Sequence, residues 1–132
     1  MEKELICLDT SVLIDYYRKK IKSNSFFYEI TNKYTLFAVS SITEYEIYIG
    51  SNSEQDKFWN DFFGQLTILA YDSKVNRTAI QIERELKKKR KQIDIPDLMI
   101  AATARTYNLK LATLNSKHFE IIDNLKLITK KP

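Results

Sequence analysis

Apolar residues fall along this chain in two alternating rhythms. Short, near-continuous apolar runs recur at 5–8 (LICL), 36–39 (LFAV), 66–71 (LTILAY), 109–113 (LKLAT) and 125–129 (LKLIT). Runs of that length and density are expected of strands buried on both faces. Between them lie longer stretches with helical spacing, at 11–20, 25–33, 41–49, 54–63, 73–91 and 95–107. Strands alternating with helices predict an α/β protein, a three-layer α/β/α sandwich around a mainly parallel central sheet of 4–5 strands. Crossovers in such sheets are right-handed, so strand C-terminal ends and helix N-terminal ends gather on one edge. Polar residues at those junctions are the ones that need explaining.

Three carboxylates stand there. Asp9 follows the first apolar run and precedes a predicted helix, where it serves either as part of a helix cap with Thr10 or Ser11 or as a functional group. In SSITEYEIYIG, Ser41 and Glu44 have capping-box spacing and Gly50 is a helix stop. Helical geometry puts Ile42, Tyr45 and Ile49 on one face with Glu46 among them, so Glu46 is expected to face inward. A carboxylate buried that way must be paired with a Lys or Arg, protonated, or bound to a cation. In DIPDLMIAATA, Asp94 is the expected N-cap, Pro96 fits the first turn, and Asp97 gains from the helix dipole. The residues after Asp97 are apolar nearly all round, so this helix belongs inside and its first turn should meet the sheet edge near Asp9. Carboxylates held together repel unless a cation neutralises them, and a hard divalent ion such as magnesium uses few carboxylates together with water and phosphate oxygens.

Composition narrows the chemistry. The 132 residues are 44% hydrophobic and 29% charged, the balance of an ordinary globular chain, and two glycines and two prolines leave no linker or repeat. A single domain over 1–132 is expected. The charged first four residues and the short apolar run after them match neither a signal peptide nor a membrane span, and Cys7 inside that run reads as a reduced, buried thiol. Both point to the cytoplasm. Basic residues outnumber acidic ones by 21 to 17, with six between Arg84 and Lys91, which permits a polyanionic partner. With one histidine and one cysteine, a two-histidine ribonuclease mechanism and an ordinary zinc cluster are excluded. Gly50 and Gly64 are the only glycines, so no glycine-rich phosphate loop exists. Metal-assisted hydrolysis of a phosphodiester needs only acids, water and a cation, and remains.

LDTSVLIDYYR, SITEYEIYIG and DLMIAATARTYNLKLATLNSKHF, in this order and spacing, resemble the PIN-domain nucleases, and within them the VapC-type toxins of type II toxin-antitoxin pairs. The resemblance implies a divalent-metal-dependent endoribonuclease using Mg2+ or Mn2+, often a homodimer, acting on RNA and neutralised by a small antitoxin protein. It implies that Asp9, Glu46 and Asp97 bind metal, with Ser11 and Thr113 as supporting residues beside them and Asp15 at a recurrent toxin position. Asp15 also has Arg18 three residues on as an ion-pair partner. Asn115 stands where many PIN domains have a fourth aspartate; it can ligate or orient water but brings no charge, and His118-Phe119 replaces a frequent Asp-Phe. The early helices, rich in Tyr16, Tyr17, Phe26, Phe27, Tyr45 and Tyr48, would form the groove for an antitoxin helix, and Lys87 to Lys91 would attract RNA.

Two rival readings follow from the same residues. A strand-Asp-helix opening also begins haloacid-dehalogenase-type phosphatases, but those usually carry a second aspartate where this chain has Ser11. The other is a catalytically inactive PIN module that binds protein or RNA, an alternative that Asn115 keeps open and the intact set of three acids opposes.

Overall fold

A computed structural model of the chain describes residues 2–131; Met1 and Pro132, the ends of the expected domain, lie outside the described residues. Five strands form one sheet: β1 (Glu2–Leu8), β2 (Tyr34–Ser40), β3 (Thr67–Leu69), β4 (Lys110–Thr113) and β5 (Leu127–Thr129). Their order is β3-β2-β1-β4-β5 and every neighbouring pair is parallel. The described residues also form helices α1 (Thr10–Arg18), α2 (Phe26–Ile30), α3 (Ser41–Ile49), α4 (Ser53–Phe63), α5 (Ser73–Lys88), α6 (Ile95–Thr106) and α7 (Ser116–Phe119), with a 3-10 turn at Lys22–Asn24.

The near-continuous apolar run at the start is explained by β1 lying in the middle of the sheet. Ile6, Cys7 and Leu8 are fully buried, with Ile6 and Leu8 facing one core and Cys7 the other. One core joins that face to Val12, Leu13, Phe26, Trp59 and Phe63 of the early helices. The other packs the opposite face against α5 and α6, through Val75, Ala79, Ile82 and Leu86 on one helical stripe and Ile100, Ala101 and Ala104 across from it. These two cores make the three layers that the pattern predicts. Arg105 of α6 adds a forked pair to Glu85 of α5, two N–H···O contacts of 3.1 Å each.

Several expected boundaries move inward. The run at 66–71 yields a strand of three residues, Thr67–Leu69, because it lies at the sheet's edge with Thr67 and Ile68 exposed. The expected helix at 73–91 stops at Lys88, and α7 was not expected, since four residues are too short to display a period. The reading of the third helix is corrected on two points. Ser40, not Ser41, is its N-cap, accepting the Ile42 N–H at 3.1 Å, while Ser41 Oγ accepts the Tyr71 N–H at 3.0 Å and ties α3 to the segment after β3. Its buried residues are Thr43 and Ile47, four apart, whereas Tyr45 and Ile49 are 63% and 65% exposed.

The strand order fixes where a site can form. The chain builds β1, β2 and β3 toward one edge, then returns to place β4 and β5 on the other side of β1. The reversal falls between β1 and β4, whose C-terminal ends open on the crevice that open α/β sheets use for ligands. The Asp9 N–H donates to the Ala112 carbonyl at 2.9 Å, extending the ladder one residue past β1 and bringing Asp9 to that crevice. At the C-terminal end of α1, the Lys22 ammonium donates to the carbonyls of Tyr16, Tyr17 and Lys19 at 2.7, 2.9 and 2.9 Å, closing that helix.

Candidate metal centre

Asp9 sits at the N-cap position of α1 with extended backbone, yet its side chain makes no capping hydrogen bond. Its carboxylate instead accepts, at Oδ2, the Ser11 hydroxyl at 2.7 Å and the Thr113 hydroxyl at 2.8 Å. Both hydroxyls are themselves held by backbone: Ser11 Oγ accepts the Leu114 N–H at 3.1 Å and Thr113 Oγ1 the Asn115 N–H at 2.9 Å. With those lone pairs engaged, each hydroxyl turns its single proton to Asp9. Asp9 as a residue is 2% exposed, and among the described residues its carboxylate has no ion-pair partner and no hydrogen bond at Oδ1. A buried anion with two hydroxyl donors and no protein cation is incompletely compensated. Its charge is felt next door, where burial first and Asp9 second push the Cys7 thiol up to about 12.

Glu46, on α3, is half-buried and lines the same cleft as Asp9, so it stands on the cleft wall rather than in an apolar core. Thr10 Oγ1 lies 2.7 Å from Glu46 Oε1 and 3.0 Å from Thr43 Oγ1. A hydroxyl has one proton, and the shorter contact to the anion takes it. Among the described residues Glu46 has no ion pair, which removes the Lys or Arg alternative left open by the sequence.

Asp97 stands in the first turn of α6, and its Oδ2 lies 3.0 Å from His118 Nδ1 on α7. Its pKa is raised, by burial first and by the Asp9 charge second, with the His118 hydrogen bond pulling the other way. Asp9, Glu46, Asp97 and Asn115 all line one cleft of about 500 Å³, with Arg18 and Lys19 on its rim. A second cleft of about 380 Å³ adjoins it across Asp97 and is lined by Gln92, Asp94, Lys117 and His118 as well.

Asp15 lines the cleft too but is occupied structurally. Its Oδ2 accepts the Phe26 N–H at 2.9 Å, starting α2, and its Oδ1 pairs with Lys19 at 3.3 Å, so the expected Arg18 pair is replaced by the residue one turn on. Asp94 holds the N-cap position of α6 without a capping hydrogen bond from its side chain, contrary to the capping role expected of it. Asn115 at the start of α7 behaves the same way. Away from the cleft the N-caps do cap: Ser25, Ser40, Asn52 and Asp72 each accept a backbone N–H of their helix. The three that decline, Asp9, Asp94 and Asn115, all line the two adjoining clefts. Thr10 and His118 orient two of the acids, a role the sequence assigns to neither: there Thr10 is a candidate cap and His118 the residue replacing a frequent aspartate.

The donor set suits a hard divalent cation. The acids offer oxygen ligands and Asp9 lacks a compensating charge, while among the described residues no group of three or more Asp, Glu, His or Cys side chains is arranged to hold a metal ion by itself. A closed cage is the habit of structural zinc, whereas magnesium and manganese are content with one or two carboxylates, water and substrate oxygens.

Comparison with known proteins bears on the chain as a whole. The family model described as PIN domain matches residues 6–125. The chain is 38% identical over 120 residues to Ribonuclease VapC1 of Methanocaldococcus jannaschii, covering 90% of this chain and 82% of that protein. It is 30% identical over 132 residues to Ribonuclease VapC of Rickettsia bellii, covering 94% and 95%. Its fold superposes with a TM-score of 0.81 on a chain of the crystal structure of VapBC2 from Rickettsia felis bound to a DNA fragment from their promoter, at 26% identity and covering 96% of this chain and 99% of that one.

Proposed function

Because the chain belongs to the PIN domain family, we propose that it is a divalent-metal-dependent endoribonuclease that hydrolyses RNA phosphodiesters, the toxin of a VapBC-type pair. VapC-type PIN ribonucleases are divalent-metal-dependent in general; for this chain we assign Mg2+ or Mn2+, held by Asp9, Glu46 and Asp97. The observation that carries the reading is Asp9, a residue 2% exposed, without a protein cation, in a cleft shared with Glu46 and Asp97.

A bound divalent ion supplies Lewis acidity toward a phosphate oxygen and a more acidic water. The chain's own residues do the rest. Ser11 and Thr113 fix the Asp9 carboxylate with Oδ1 free of protein hydrogen bonds, and Thr10 fixes Glu46 through Oε1. Asn115 offers an uncharged amide that orients water where an acid would add repulsion. Hydrolysis then forms one P–O bond from water as the opposite ester P–O bond breaks in line.

The same reading assigns partners. A groove of about 290 Å³, lined by Ile14, Tyr17, Ile47 and Trp59 together with Arg18, Gln55 and Glu46, fits an amphipathic antitoxin segment that brings a basic side chain to the acids. We place the protein in the cytoplasm as a homodimer of one PIN-like domain over 1–132; among the described residues no helix is long and apolar enough to cross a membrane.

Incubation of the purified chain with mixed RNA and Mg2+, Mn2+ or a chelator tests this, beside Asp9→Asn and Asp97→Ala. Cleavage with metal, abolished by the chelator and in both variants, is expected. Cleavage that survives chelation, or is unchanged in both variants, overturns the mechanism. RNA binding without cleavage by the unaltered chain selects the inactive binding module instead.

A further inference from the structure

Among the described residues, three other than glycine have positive φ: Arg90 at 57°, Asn108 at 53° and Asn124 at 62°. Two are asparagines, the side chain that tolerates the left-handed region best after glycine. Arg90 is the exception, and its backbone role is plain. Lys89 is the C-cap of α5, the Arg90 N–H donates to the Lys87 carbonyl at 3.1 Å and the Lys91 N–H to the Leu86 carbonyl at 2.9 Å. That pair of bonds is the Schellman ending of a helix, whose left-handed position glycine ordinarily fills. An arginine there gives up stability that glycine or asparagine would retain, so its side chain needs another reason to be present.

No fold-stabilising contact supplies one. Arg90 is exposed and its side chain makes no hydrogen bond, ion pair or ring contact with any described residue, whereas Lys89 beside it pairs with Asp123 at 2.8 Å. Its position supplies a better reason. Arg90 lies within the five consecutive basic residues 87–91, which run directly into Gln92, Ile93 and Asp94, one wall of the cleft adjoining the acids across Asp97. Arg90 and Gln92 are two positions apart, at most about 7 Å between Cα atoms, well within the reach of an arginine side chain. Lys117 lines the same cleft.

We propose that Arg90 is an RNA-phosphate-binding residue. A single strand leaving the acids crosses Asp97 through this cleft, and its next backbone phosphates are taken by Lys117 and by the Arg90 guanidinium, whose planar fork suits a phosphate. The inference rests on the ribonuclease reading and names the path its substrate follows.

The test uses the full chain, a fluorescein-labelled mixed-sequence single-stranded RNA, and a chelator to prevent cleavage during binding. Arg90→Asn keeps the left-handed position comfortable and removes the charge; Arg90→Gly does the same with no side chain; Arg90→Lys keeps the charge. Arg90→Asn and Arg90→Gly are expected to hold or raise the melting temperature yet weaken RNA binding about three- to tenfold, and to lower the slope of log affinity against log salt by about 0.7. With metal restored, KM rises while kcat stays. Arg90→Lys should keep the salt slope. If the unaltered chain cleaves RNA and Arg90→Asn binds with the same affinity and slope, Arg90 is only a helix stop and the inference falls alone. If the unaltered chain neither binds nor cleaves RNA, the ribonuclease reading falls and takes the inference with it.

Discussion

The fully buried Thr113 hydroxyl donates to Asp9 Oδ2 at 2.8 Å, joining the ends of β4 and β1 across 104 residues of sequence. It is a hydrogen bond to a charged acceptor in a dry place, and the Asn115 N–H depends on the same oxygen at 2.9 Å. Thr113→Val preserves shape, removes both, and should cost roughly 1.5–3 kcal/mol in chemical denaturation. Because the bond also aims Asp9, metal affinity should fall about 10–100-fold. Thr113→Ser should restore most of both. Unchanged Mn2+ affinity in the valine variant, read by calorimetry, would show that Asp9 does not need this support.

Asp9 itself makes an opposite pair of effects expected. The metal-free protein carries its anion in a nearly closed position with hydroxyls alone for company. Asp9→Asn removes the charge and keeps an oxygen for the two donors, so the metal-free variant should melt higher than the metal-free parent. The parent should then gain about 2.7 kcal/mol at a metal concentration a hundred times its dissociation constant, and the variant little. Equal metal-induced shifts in the two proteins would place the ion elsewhere.

The architecture was legible because its signals are local. Continuous apolar runs mark strands covered on both faces, and β1 with Ile6, Cys7 and Leu8 all buried is the plainest case. Asp9 and Asp97 were legible because they sit at strand-to-helix junctions, which a parallel sheet gathers at one edge. Glu46 was singled out by an argument that the structure overturns. Tyr45 and Ile49 are exposed, and the residue stands on the cleft wall because Thr43 and Ile47 turn α3 onto the sheet. The hydroxyls of Thr10 and Thr113 and the His118 contact join residues 21 to 104 apart in sequence, and no periodicity reports such pairs. Caps also misled. Asp94 has the residue type and place of a cap, and only the missing hydrogen bond separates it from Asp72 or Asn52, which do cap.

The fork between Arg105 and Glu85 gives a pH-dependent expectation away from the site. The Arg105 hydrogen bond, ahead of its charge, holds the Glu85 carboxyl below its ordinary range against a smaller upward push from burial. A depressed folded pKa adds stability that is complete above the unfolded value, about 4.3, and is lost as pH falls through the lower folded value. Glu85 is 39% exposed, so screening limits the effect to about 0.5–1 kcal/mol. Glu85→Gln should therefore be less stable than the parent near neutral pH by that amount, and the gap should close in acid and shrink with salt. A gap that persists in strong acid would assign the loss to packing between α5 and α6.

His118 and Asp97 offer the sharpest test of how the site is balanced. Burial and the Asp9 charge both work against the ionised form of Asp97, and the His118 contact at 3.0 Å is the interaction that favours it. His118→Ala removes this support while leaving the exposed position open to solvent, so folding should be little changed and metal affinity should drop about tenfold. His118→Asp goes further, setting a second carboxyl beside Asp97 in the cleft that Asp94 also lines. Like charges at that range repel unless a cation lies between them. The metal-free His118→Asp protein should therefore melt below the parent, and its melting temperature should rise more steeply with Mn2+ than the parent's does. His118→Asn, which keeps a donor, should resemble the parent in both measurements. If His118→Asp melts with the parent and responds to Mn2+ no more strongly, then Asp97 does not share its cation with that side of the cleft, and its partners are Asp9 and Glu46.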